Sequence, residues 1–119
     1  MESAVAPPTG GLSQEISAGM VRLYKEQLGR GPTKTRTWVH DNMVVTVLAD
    51  SLTKAEETLA TADNPEAVRE LRRTLQGAMM AEMTKLIETT MHREVLCVLS
   101  DHSPGPDYAV EVILLKPLN

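Results

Sequence analysis

Three groups of residues in this chain are of types that can do chemistry. The first is Gly29-Arg30-Gly31-Pro32-Thr33-Lys34. Glycines around a cation, followed by a hydroxyl and a lysine, offer backbone amides and positive charge to a small anion. The second is Lys34, Arg36, Trp38 and His40. They share one side of an extended chain, because side chains on a strand alternate with a period of two. Such a stripe suits an anion or an acidic segment of a partner. The third group is the two pairs His40-Asp41 and Asp101-His102. Neighbours on a strand point opposite ways, so neither pair cooperates internally. If the two segments met in space, His40 and Asp101 would form an acid–base pair.

Each group also has a plainer reading. The glycine segment follows a helix and precedes a strand, the reverse of a nucleotide-binding loop, and it lacks the Gly-Lys-Ser/Thr ending. A glycine cap and tight exit from the preceding helix accounts for both glycines. The cationic stripe reads as a solvated edge strand whose charges discourage aggregation. The three histidines, His40, His92 and His102, have no ligand spacing, so no metal is expected. No serine or cysteine has a recognisable nucleophile context, and no cofactor is expected. The sequence therefore points to a non-enzymatic protein. Its candidate ligand-binding residues are Arg30, Thr33, Lys34, Arg36, His40 and Asp101.

The elements carrying these residues follow from periodicity and punctuation. Residues 1–10 are small and proline-rich and read as a flexible tail, leaving 11–119 as one domain. Leu12, Ile16, Met20, Leu23 and Leu28 have helical spacing, with Gly29 as a left-handed stop and Pro32 barring continuation. Thr33–His40 and Met43–Leu48 flank Asp41-Asn42, which predicts a hairpin. Thr53 and Glu56 have capping-box spacing, so a short helix starts there and ends near Ala62. Asn64-Pro65 is a restart signal. Val68, Leu71, Leu75, Met79, Met83 and Ile87 then predict one helix to about Met91, roughly 26 residues or about 39 Å. Arg69-Glu70-Leu71-Arg72-Arg73 reads as its solvated face. Glu94–Ser100 and Tyr108–Leu115 close the chain as strands, joined by an open loop over 101–107 with two prolines and a glycine. The fold class is α+β: a four-stranded antiparallel sheet from two β-hairpins, each preceded by a long helix, plus one short helix. Asp41 and Asp101 fall where the first strand of each hairpin turns, a faint internal symmetry with so few matching letters that it reads as topological coincidence.

The strands themselves carry the strongest physical signal. Val95, Cys97 and Leu99 alternate with Leu96 and Val98, and Met43, Val45 and Val47 alternate with Val44 and Leu48. Both runs are apolar on both sides, whereas a sheet covered by helices on one side alternates with polar residues. A second layer must cover the other face, either the short helix or another copy of the chain. The Met79, Met80, Met83 cluster adds an adaptable contact surface, and the expectation is a homodimer. Cys97, the single cysteine, reads as a small buried hydrophobe. The formal net charge of −4 argues against nucleic-acid binding, which needs a basic footprint. No run approaches the roughly 20 apolar residues of a membrane span, and the N-terminus lacks a secretion signal, so direct membrane insertion is not expected and a cytoplasmic location is.

Leu28-Gly29-Arg30-Gly31-Pro32-Thr33-Lys34-Thr35-Arg36, His40-Asp41, Val47-Leu48, Leu52–Leu59, Leu99-Ser100-Asp101 and Ala109–Val112 together resemble the MpsC-like family. The resemblance runs from about Gly11 to Pro117, with the Gly-Arg-Gly-Pro-Thr-Lys block its most distinctive part. The family name links it to a membrane-potential-generating system, whose two other components are associated with inorganic-carbon uptake. The resemblance implies an accessory or regulatory role beside a membrane transport system, with a protein partner there. It transfers no catalytic residue. A small-anion sensor, for bicarbonate or a phosphate-type ligand, is the alternative.

Overall fold

The computed structural model describes residues 11–118; the tail expected over 1–10 lies outside them. Helix α1 spans Gly11–Leu28, strands β1 and β2 Lys34–His40 and Met43–Ala49, and helices α2, α3 and α4 Lys54–Thr61, Pro65–Ala78 and Met80–Met91. Strands β3 and β4, Val95–Pro104 and Asp107–Leu115, complete the chain. The fold is α+β, with one four-stranded sheet in the order β1-β2-β4-β3 and every neighbouring pair antiparallel. The two hairpins lie side by side, joined through β2 and β4 at the centre. Asp101 does not sit at a turn, because β3 continues past it to Pro104.

Local signals set most boundaries. Gly29 takes φ +80° and its amide returns to the Lys25 carbonyl at 2.9 Å, a left-handed stop that a Cβ would strain. Thr53 and Glu56 form a reciprocal capping box at the start of α2. Asn64 caps α3 with Pro65 in its first turn.

Two expectations are corrected. The helix predicted over 65–91 is two helices, divided at Met79, whose amide is shared among the Leu75, Gln76 and Gly77 carbonyls. Gly77 is the weakest helix former nearby. The break lets α3 lie along β3 while α4 packs against α1. The loop expected over 101–107 is instead a tight hairpin end, with Gly105-Pro106 between the paired residues Pro104 and Asp107.

The helices cover one face of the sheet. Val44 and Leu48 of β2, Ala109, Ile113 and Leu115 of β4 and Val98 of β3 are buried against Ile16, Met20, Leu23 and Tyr24 of α1 and Met83 and Ile87 of α4. Met79 and Met83 belong to this core, and only Met80 of the methionine cluster is exposed. The molecule measures 49 × 33 × 20 Å, its shortest dimension matching one sheet and one helical layer. Helix α2 packs against α3 and does not cover the other face.

Candidate functional site

Strand register places the cationic stripe on the face that no helix among the described residues covers. Reading across the sheet from β1 to β3, four rows occupy it: Lys34-Ala49-Tyr108-Ser103, Arg36-Val47-Val110-Asp101, Trp38-Val45-Val112-Leu99 and His40-Met43-Leu114-Cys97. The middle of this grid is valine and leucine. Its charged residues stand on the two edge strands, cations on β1 and Asp101 on β3. Leu99 is 55% exposed, and Leu96, the extra residue of a bulge between Val95 and Cys97, is 59% exposed. Trp38, His40, Met43 and Val45 line a shallow notch on the same face.

Cys97 is exposed on this face rather than buried. The reason is strand order. Strand β3 is an edge of the sheet, and its side chains at 97 and 99 lie on the face opposite the helices. The run is greasy on both sides as expected; the described residues cover only one.

The six candidate ligand residues do not converge on one pocket. Arg30 donates to the Leu52 carbonyl at 2.7 Å and lies 3.7 Å from the Glu57 carboxylate, tying the loop after α1 to the start of α2. Thr33 donates to Asp50 at 2.5 Å, and Lys34 opens β1 opposite Ala49. These three share one end of the first hairpin. Arg36 lies further along β1, and His40 is at its far end. Asp101 stands on the opposite edge strand, three strand spacings or about 14 Å across the sheet, and in a different row from His40. His40 and Asp101 are therefore not an acid–base pair. Asp101 instead shares its row with Arg36.

Sequence reasoning missed a polar system on the covered face. Arg72, expected on a solvated face, is fully buried, while Leu71 beside it is exposed. The Arg72 guanidinium donates to both Glu56 oxygens at 2.8 and 3.1 Å, and to the Ser51 hydroxyl and carbonyl at 3.0 and 2.5 Å. It also lies 5.9 Å from the centre of the Tyr24 ring. Burial pushes the Glu56 carboxyl up, but hydrogen bonds from Arg72 and Thr53 and the Arg72 charge outweigh it, so its pKa falls below the ordinary value.

Glu111 has the opposite fate. The Tyr24 hydroxyl donates to it at 2.6 Å, Gln76 at 3.1 Å, and Ser100 also donates. Burial nevertheless dominates these bonds and raises its pKa. Tyr24 is pushed up too, by burial and by the adjacent Glu111. His102 faces the same interior, and its Nε2 donates to Asp107 at 3.0 Å when neutral, leaving Nδ1 buried without a partner. Burial lowers its pKa against the pull of Asp107. The other Asp107 oxygen accepts from the Leu52 amide at 2.8 Å. These groups are engaged with one another and hold α1, α2, α3 and the sheet together. Two signals were available: Glu111 is a lone acid in Val110-Glu111-Val112-Ile113, and Val68, Arg72 and Gln76 lie four residues apart on one helical stripe.

Among the described residues no group of three His, Cys, Asp or Glu side chains could hold a metal, and no helix is long and apolar enough to cross a membrane. The family model described as "Na+-translocating membrane potential-generating system (MpsC)" matches residues 9–117. The chain belongs to the MpsC family. That family is associated with a membrane-potential-generating system. No curated protein and no solved structure matches the chain. For this MpsC-family chain, the open sheet face is the candidate functional site.

Proposed function

We propose that this MpsC-family chain is a non-enzymatic, homodimeric, cytoplasmic accessory or regulatory protein that assists a membrane ion or inorganic-carbon transport system. The observation that carries the reading is the apolar grid on the open side of the sheet. Val45, Val47, Val110, Val112 and Leu114 form its centre, and no element of the described chain lies over them. A contiguous apolar surface of this kind marks a protein contact. The dimer uses that face, and the loop Gly29–Arg36 with the start of the first hairpin is left to meet the transport system. Light scattering at micromolar concentration is expected to give twice the 13.0 kDa chain mass. A strictly monomeric mass would remove the dimer from this reading. Affinity capture from membranes of the native host, with Arg30→Ala as control, tests the partner.

A second reading, a small-anion sensor, draws support from Arg30, Thr33 and Lys34 sharing one end of the first hairpin. Asp50 and Glu57 stand beside them and weaken the local positive field. Bicarbonate or phosphate bound there stabilises the fold by mass action, so a thermal shift abolished by Arg30→Ala would support the sensor. No shift with either anion counts against it.

A further inference from the structure

We infer that the open sheet face receives the same face of a second copy about a two-fold axis running parallel to the strands, between β2 and β4, so that Arg36 of each copy meets Asp101 of the other. This rests on the dimer reading above and adds to it the surface, the axis and the pairs that fix it.

A two-fold contact must be self-complementary, because the same patch supplies both sides. Rotation about an axis along the strands leaves each row at its own height and exchanges the two edges of the sheet. Strand β1 of one copy then lies over β3 of the other, and β2 lies over β4. Each of the four rows can be checked against its own reversal; in the first, Lys34 meets Ser103 and Ala49 meets Tyr108. Arg36 meets Asp101 of the second copy, and Val47 meets its Val110. Trp38 meets Leu99, and Val45 meets Val112. His40 meets Cys97, and Met43 meets Leu114. Apolar groups fall on apolar groups, and the one acidic residue of the grid falls on an arginine. Among the described residues neither Arg36 nor Asp101 forms an ion pair within the chain.

The other two-fold axis in the plane of the face runs across the strands. It stacks β1 on β1 and reverses the rows, so that Lys34 faces His40, Arg36 faces Trp38 and Asp101 faces Leu99 of the other copy. That gathers the cations along one edge and takes each Asp101 into a partly dry contact with no cation opposite it, which is costly. The pairing of Asp101 with a cation therefore favours the axis along the strands.

Sheets packed face to face sit about 10 Å apart and within about 30° of alignment. That rotation moves an edge position by only about 4 Å, within reach of an arginine. Four strands and seven residues give a face of roughly 19 by 23 Å. The two faces together cover on the order of 900 Å² in flat projection, more with side-chain relief, near the roughly 1,000 Å² where specific interfaces begin. A contact of that size is expected to be moderate in strength and sensitive to its charged rim.

The test is a charge-reversal cycle read by sedimentation equilibrium. Arg36→Asp and Asp101→Arg each place like charges at two symmetric points, and each is expected to raise the dimer dissociation constant about tenfold or more. The double variant, with the charges exchanged, is expected to return to within about threefold of the starting protein. Val112→Arg, at the centre of the grid, is expected to give a folded monomer by circular dichroism. A dimer indifferent to both single reversals overturns the axis and the pairs while leaving dimerisation intact. A dimer that survives Val112→Arg overturns the surface. A starting protein that is monomeric at tens of micromolar overturns the dimer reading itself.

Discussion

Replacing Arg72 by alanine is the sharpest probe of the interior. Arg72 and Glu56 are both fully buried, and the change removes both guanidinium bonds to the carboxylate. Glu56 keeps the Thr53 amide at 2.8 Å but no cation, while the Ser51 hydroxyl and carbonyl lose their donor. Breaking a buried pair from one side typically costs about 3–5 kcal/mol, because the remaining charge is uncompensated. That is a large share of the roughly 5–15 kcal/mol that holds a domain folded. The pH dependence gives a second signature. In the wild type the Glu56 pKa lies below its unfolded value of 4.5, so its stabilisation is present above pH 4.5 and is lost as pH falls through the lower, folded value. Without Arg72, burial acts with little opposition and the pKa moves up. The variant should then be rescued in part by acid, so the gap between the two proteins narrows from pH 7 toward pH 4.5. Urea denaturation followed by far-ultraviolet circular dichroism, at one fixed protein concentration, measures both. The double variant Glu56→Gln/Arg72→Met should recover most of the loss, since it leaves no unpaired charge at this position. A loss below about 1 kcal/mol at pH 7, or an equal loss at both pH values, would refute the reasoning.

Two further titrations are expected to have opposite signs. The Glu111 pKa is raised, so the native state holds its proton longer and stability falls as pH rises from 4.5 through the folded value. Glu111→Gln should flatten that slope and be at least as stable as the wild type at pH 8; denaturation at pH 5 and 8 checks it, and an unchanged slope counts against the assignment. The His102 pKa is lowered, so stability is lost as pH falls below the unfolded value of 6.5. His102→Gln should remove that loss between pH 6.5 and 5, read as a smaller fall in melting temperature across the interval.

Much of the frame was legible because it rests on local chemistry. The Asp41-Asn42 turn, the Thr53/Glu56 box, Asn64-Pro65 and Gly29 each satisfy or strain the backbone in ways set by a few neighbouring residues. What escaped was decided at long range. Arg72 looks solvated until Glu56, sixteen residues earlier, is folded against it. Cys97 looks buried until β4, not β3, is found beside β2. The split at Met79 follows from α3 and α4 having different partners, the sheet edge and α1. For the site, period-two spacing gave the cationic stripe correctly. The pairing of its Arg36 row with Asp101 needed strand order, which no local signal contains.

The register of this sheet raises a question of alignment. Strand β2 reads Met43-Val44-Val45-Thr46-Val47-Leu48, so greasiness cannot tell it which side to turn inward. A slip of one residue would exchange its two sides at small hydrophobic cost. Thr37, Thr46, Glu111 and Ser100 cross the sheet in a single inward-facing line, met from above by Ser17, Tyr24 and Gln76. With β2 slipped, Thr46 would turn outward and a valine would stand between Thr37 and Glu111; the same slip of β4 would turn Glu111 away from Tyr24 and Gln76. The hydroxyls and the buried acid thus act as a key for an otherwise ambiguous lock, holding two interchangeable valine-rich surfaces to their separate tasks.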